Sequence, residues 1–118
     1  MLKATEIKAA AHALYNAEFD RVQIGLLTQK YPNIEMTDAY SIQKALVQLK
    51  IESGQKIVGW KIGLTSKAMQ YALNIDIPDS GVLMDDMEFS NDSKIPSGRF
   101  IQPRIEAEIA FVMKSSLG

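Results

Sequence analysis

The chain has 118 residues, 47% hydrophobic and 23% charged, with 13 Lys plus Arg against 14 Asp plus Glu and a formal net charge of −1. That length suffices for one small globular domain with a core, and the balanced charge leaves no electrostatic footprint for nucleic acid or an anionic membrane. Cysteine is absent, which excludes a disulfide scaffold, a thiol nucleophile and a thiolate metal site. The opening "MLKATEIKAAAHALYNAEF" is broken by Lys3, Glu6 and Lys8, unlike the apolar core of a signal peptide. No run approaches a bilayer span, so a cytoplasmic location is expected.

In chain order, residues 4–19 read as a helix: Ala is abundant, and Ile7, Ala10, Ala11, Leu14 and Ala17 recur near helical spacing. Residues 21–36 contain Gly25 and Pro32 and are assigned no single element. A second helix follows, with Thr37 as its expected N-cap, Asp38 in the first turn and Ile42, Ala45, Leu46 and Leu49 as its apolar stripe; Gly54 suits the position that ends it.

The pattern then changes period. "IVGWKIGL" reads as a strand with Val58, Trp60, Ile62 and Leu64 on one face and Ile57, Gly59, Lys61 and Gly63 on the other. Ser66 can cap a short helix over 67–73. Residues 77–81, "IPDSG", read as a turn, 82–89 as a strand, "NDSKIPSGRF" as a loop, and 101–113 as a final strand. The expected class is α+β, with a helical region over 1–55 and a β-rich part over 56–118. The apolar last strand has nothing after it to pair with, so the sheet is expected to be incomplete at Gly118.

Four residues carry candidate chemistry. Glu106 and Glu108 in "PRIEAEIAF" lie two apart, so on a strand both carboxylates point the same way, with Cα atoms ~6–7 Å apart. A divalent cation between them would remove the repulsion and take hard-oxygen ligands; a solvated face of a one-sided sheet shows the same alternation. Ile105, Ala107, Ile109 and Phe111 would then meet the core. Lys61 sits between Gly59 and Gly63, whose missing side chains leave room for a ligand's carboxylate or enolate oxygen, or simply for an exposed lysine. Asp79 is either a turn residue bonded to its own backbone or a general base. Arg104 suits an ion pair, His12 a helix surface, and Met69, Met84, Met87 and Met113 core filling. "GLTSK" lacks the spacing of a phosphate loop.

Taken together, "YP…I…DAYSIQ", "GWKIGLTSKAMQ", "PDSGVLMDDMEF" and "IPSGRFIQPRIEAEIAFV" resemble, in this order, the 2-keto-4-pentenoate hydratase family. That family includes the 2-oxohept-4-ene-1,7-dioate hydratases and 4-oxalocrotonate decarboxylases of aromatic meta-cleavage pathways. The resemblance implies a fumarylacetoacetase-like mixed β-sheet or β-roll after N-terminal helices, of which this chain is the N-terminal portion. It implies Mg2+ or Mn2+ held by Glu106 and Glu108, with a third carboxylate ligand beyond residue 118, and Lys61 and Asp79 lining the pocket. The implied activity is a hydro-lyase reaction on a small 2-oxo or 2-hydroxy dienoate, in a homo-oligomer. Decarboxylase members carry an apolar residue at the Asp79 position, which favours hydration. The alternatives are a decarboxylase, a related fumarylacetoacetase-group hydrolase, or an inactive fragment that self-associates through its open sheet.

Overall fold

The structure, a computed structural model, describes residues 1–116. Two 17-residue helices, α1 (Ala4–Asp20) and α3 (Met36–Glu52), form the helical layer, with one turn, α2 (Leu27–Lys30), between them. Ala10, Ala11 and Ile42 are fully buried at the α1–α3 contact, and Ile7, Leu14, Leu27, Ala45, Leu46 and Leu49 pack around them. The small alanines let the helices approach closely, and the two apolar stripes are those expected from the spacing.

The ends of these helices fix their direction. At one end Asp38, only 2% exposed, accepts hydrogen bonds from the backbone N–H of Leu2 at 2.9 Å and of Glu35 at 3.1 Å. At the other end the buried Lys50 ammonium donates to Glu18 at 2.7 Å. Start therefore lies beside start and end beside end, so α1 and α3 run parallel. The connection over 21–35 must retrace a helix length of ~25 Å, which is why α2 interrupts it.

After α3, Gly54 takes φ 98°, a left-handed value natural to glycine, and closes the helix as expected. The chain enters β1 (Ile57–Gly63), α4 (Lys67–Leu73) and β2 (Asp79–Met84), and β1 and β2 pair antiparallel. Ser66 caps α4 by accepting from the Met69 N–H at 3.2 Å, as its sequence position suggests. The α+β class is as expected: helices precede the two-stranded sheet.

Several boundaries differ from the sequence expectation. α3 is capped by Glu35 rather than Thr37, because Asp38 reaches back to the Glu35 N–H from the third helical position. The second strand spans 79–84 instead of 82–89: pairing with β1 draws Asp79, Ser80 and Gly81 out of the expected turn. Lys56 then donates to Asp85 and accepts from its N–H, ending the ladder before a 3-10 turn over Asp85–Met87. Val58 is the extra residue of a bulge, so it drops out of register with Trp60 and Ile62, and Leu64 lies beyond the strand end. That face is not core; Trp60 is 64% exposed. Met84 is buried, whereas Met69, Met87 and Met113 are exposed and fill no core.

The largest departure is 101–113, which is not a strand. Alternation directs side chains only once backbone groups are paired, and among the described residues no backbone hydrogen bond joins this segment to another element. Ile105, Ile109 and Phe111 are accordingly exposed instead of meeting a core. The expectation about Gly118 concerns a residue outside the described ones.

Two predictions follow from the helical layer. Ile42→Ala is expected to cost about 3 kcal/mol in urea unfolding; a loss below about 1 kcal/mol would show that α1 and α3 do not share this core. The hydrogen bond from Leu2 lowers the Asp38 carboxyl below its ordinary 3.8, opposed by burial and assisted by Glu35 and the N-terminal ammonium. A depressed carboxylate contributes stability fully above its unfolded value and loses it as pH falls through the folded one. The urea midpoint should therefore drop between about pH 5 and pH 2 more steeply in the wild type than in Asp38→Asn; identical profiles would contradict this.

Candidate active site

The hairpin places the candidate residues by register. Lys61 pairs with Gly81, and Gly63 pairs with Asp79. Cross-strand partners and alternate residues share a face, so Lys61, Gly63, Gly81 and Asp79 make one patch. Its two functional side chains occupy one diagonal, about 7–8 Å apart along the backbone, and its two glycines occupy the other. A Cβ at Gly81 would meet nothing within 4 Å, which leaves open space directly beside Lys61.

Gly63 serves a different purpose from the one its sequence position suggested. The Asp79 carboxylate lies over its backbone, and a Cβ there would collide with Asp79 Oδ1. The room is thus for the protein's own acid rather than for a ligand. Gly59 faces Leu83 on the partner strand. Asp79 itself is held from the helical layer: the next residue, Ser80, donates its N–H to the Tyr40 hydroxyl at 3.3 Å and accepts from Gln43 Nε2 at 3.0 Å.

The carboxylate pair converges although its strand is absent. Lys61 Nζ donates to Glu108 Oε1 at 2.7 Å and to Glu106 Oε2 at 3.2 Å. Those bonds, Glu108 first, raise the ammonium pKa above its ordinary 10.5, with burial opposing. A raised lysine contributes its pairing fully below the unfolded value and loses it as pH rises through the folded one, so the pairing is complete at neutral pH. All three side chains are substantially exposed, so each ion pair is individually weak and screened by salt.

Lys61, Asp79, Glu106 and Glu108 all line one open cleft of about 510 Å3. Its remaining lining is Gly63, the turn Leu64–Thr65–Ser66, and Met69, Leu73 and Ile75. Sequence reasoning missed Gly81, whose role appears only in the register, and the apolar wall, of which Met69 was assigned to a core. Arg104 makes no ion pair among the described residues, and His12 lies on the exposed side of α1, by a separate shallow cavity. Another cavity of about 530 Å3, between the end of α1 and the loop after β2, contains none of the four candidates.

The donor set suits a hard divalent cation: two carboxylates already converge on one positive charge, supplied here by Lys61. Among the described residues no group of three or more His, Cys, Asp or Glu forms a metal cluster.

The helical layer thus supports a hairpin cleft on which acids and one lysine converge. The chain is 50% identical over 107 residues to the 2-oxo-hept-4-ene-1,7-dioate hydratase of Escherichia coli, covering 91% of this chain and 40% of that protein. It is 43% identical over 108 residues to the 2-keto-4-pentenoate hydratase of Paraburkholderia xenovorans strain LB400, covering 92% and 40%. Among solved structures, the 4-oxalocrotonate decarboxylase of Pseudomonas putida G7, complexed with magnesium and adipate, superposes with a TM-score of 0.70 at 35% identity, over 73% of this chain and 33% of that one. The same enzyme has been solved with calcium and acetate. No protein-family model matches the chain. Over nine-tenths of its length the chain is thus similar to 2-oxo-hept-4-ene-1,7-dioate and 2-keto-4-pentenoate hydratases, and it spans about 40% of the length of these curated relatives.

Lys61→Met should free 103–113, because those two ion pairs are its attachment to β1. Cleavage after Glu106 and Glu108 by a glutamyl endopeptidase should accelerate roughly two- to fivefold; an unchanged rate would mean that the segment is held some other way.

Proposed function

We propose that the protein is a cytoplasmic, divalent-metal-dependent hydratase that adds water to a 2-hydroxy-2,4-dienoate, the enol of a 2-oxo-4-enoate, in aromatic catabolism. The observation that carries this reading is the convergence of Lys61, Asp79, Glu106 and Glu108 on one cleft, in a chain 50% identical to a named hydratase.

Glu106 and Glu108 would hold Mg2+ or Mn2+. When bound, the ion supplies a Lewis acid for the substrate's 2-oxo and carboxylate oxygens. Lys61 holds a positive charge in the same cleft, where it stabilises negative charge that develops on the substrate oxygens. Ketonisation removes the O2 proton and adds a proton at C5, leaving a 2-oxo-3-enoate. Water oxygen then bonds to C4, Asp79 takes a water proton, and a proton is delivered to C3. Asp79 is suited to this work because the Tyr40–Ser80–Gln43 contacts hold the backbone beside it and Gly63 leaves room for its carboxylate.

A decarboxylase needs the same cleft but adds no water and needs no base at Asp79. Self-association is part of the proposal: the exposed apolar side chains of 105–113 and the unpaired backbone beside them suit addition of a further strand.

The test is an assay of 2-hydroxypenta-2,4-dienoate with Mg2+, following loss of dienoate absorbance and formation of the 4-hydroxy-2-oxo acid. Asp79→Asn should lower hydration by at least about 100-fold while leaving affinity for a saturated 2-oxo acid largely intact. Unaltered turnover in the variant, or CO2 release from a 2-oxo-3-enedioate without hydration, would overturn the proposal.

A further inference from the structure

β1 ends at Gly63, and the next residue, Leu64, has φ 55°. This is left-handed backbone that a residue with a Cβ disfavours, so something must hold it. The Leu64 carbonyl accepts from Gln70 Nε2 at 2.6 Å, and Gln70 Oε1 accepts from Lys67 Nζ at 3.0 Å. Gln70 is 4% exposed, and both ends of its amide are satisfied. A buried glutamine spending its donor on a single carbonyl, six residues back, is a clasp between the turn and α4.

The clasped residue stands at a boundary. Leu64, Ile75 and Asp79 line the cleft and also a neighbouring cavity of about 210 Å3, whose other walls include Met36, Ala39 and Tyr40 of α3. Leu64 thus borders both spaces, and the direction of its side chain follows from its left-handed backbone. Relaxation to ordinary φ would redirect the isobutyl group.

We infer that Gln70 is a positioning residue that fixes Leu64 as a partition, and that Leu64 thereby limits the hydrocarbon tail of the 2-oxo acid that the cleft accepts. The tail-limiting role rests on the proposed function; the clasp does not.

The experiment has two readouts on the same variants. The first is the intraresidue amide-to-Hα NOE at position 64, which is strong only at positive φ. It should be strong in the wild type and weak in Gln70→Leu and in the milder Gln70→Glu, whose carboxylate cannot donate to the Leu64 carbonyl. The second is binding of pyruvate, 2-oxopentanoate and 2-oxooctanoate in the presence of Mg2+. The wild type should disfavour the longest acid, and Leu64→Ala and Gln70→Leu should each reduce that preference about tenfold. Glycine takes φ 55° without help, so adding Gln70→Leu to Leu64→Gly should change nothing further. A strong NOE that survives Gln70→Leu overturns the clasp. An identical length profile in all variants, or a further loss in the double variant, overturns the partition. A wild type that binds none of the acids overturns the proposed function and the tail limit together, while the NOE still decides the clasp.

Discussion

The arrangement turns on one ammonium group. Lys61 lies between two carboxylates that would otherwise repel each other, and it draws a segment with no backbone pairing onto the edge of a hairpin. All three groups are exposed, so the attraction is modest in water; what it provides is convergence. A singly charged nitrogen with three donors satisfies both glutamates only partly, whereas a doubly charged ion with open coordination positions matches their chemistry better. Under the proposed function, the Lys61 ammonium therefore stands where the divalent ion would bind.

The helical layer matters to that site through a short chain of contacts. The α1–α3 core sets α3; Tyr40 and Gln43 of α3 grip both polar backbone groups of Ser80; and Ser80 fixes its neighbour Asp79. Gly63 lets the Asp79 carboxylate settle on the opposite strand. Gln70 governs the other wall through Leu64. Acid, lysine and apolar wall thus come from one hairpin and the short helix that it encloses, while the placement of Asp79 depends on a core earlier in the chain.

Much of this was legible in the sequence because it is local. The 3.6-residue spacing of Ile7, Ala10, Ala11 and Leu14, the glycine at 54, the Ser66 cap and the period-2 run through Trp60 each encode their own geometry. What escaped is what depends on a partner. The strand position of Asp79 follows from its pairing with Gly63, and Glu35 displaces Thr37 as the α3 cap because Asp38 reaches back. Residues 101–113 have a strand's alternation without a strand's hydrogen bonds, so their apolar side chains face solvent. At the site, type and spacing singled out the four candidate side chains and only the family resemblance chose among their readings, whereas the emptiness at Gly81 and the left-handed Leu64 were not legible, since neither leaves a mark on its immediate neighbours.

The most direct measurement is a Mn2+ titration followed by electron paramagnetic resonance, comparing the wild type with Glu106→Gln and Glu108→Gln. If those carboxylates jointly hold a divalent ion, the wild type binds Mn2+ and each amide weakens binding by at least about tenfold. Equal Mn2+ affinity in all three proteins, or none in the wild type, would contradict the account.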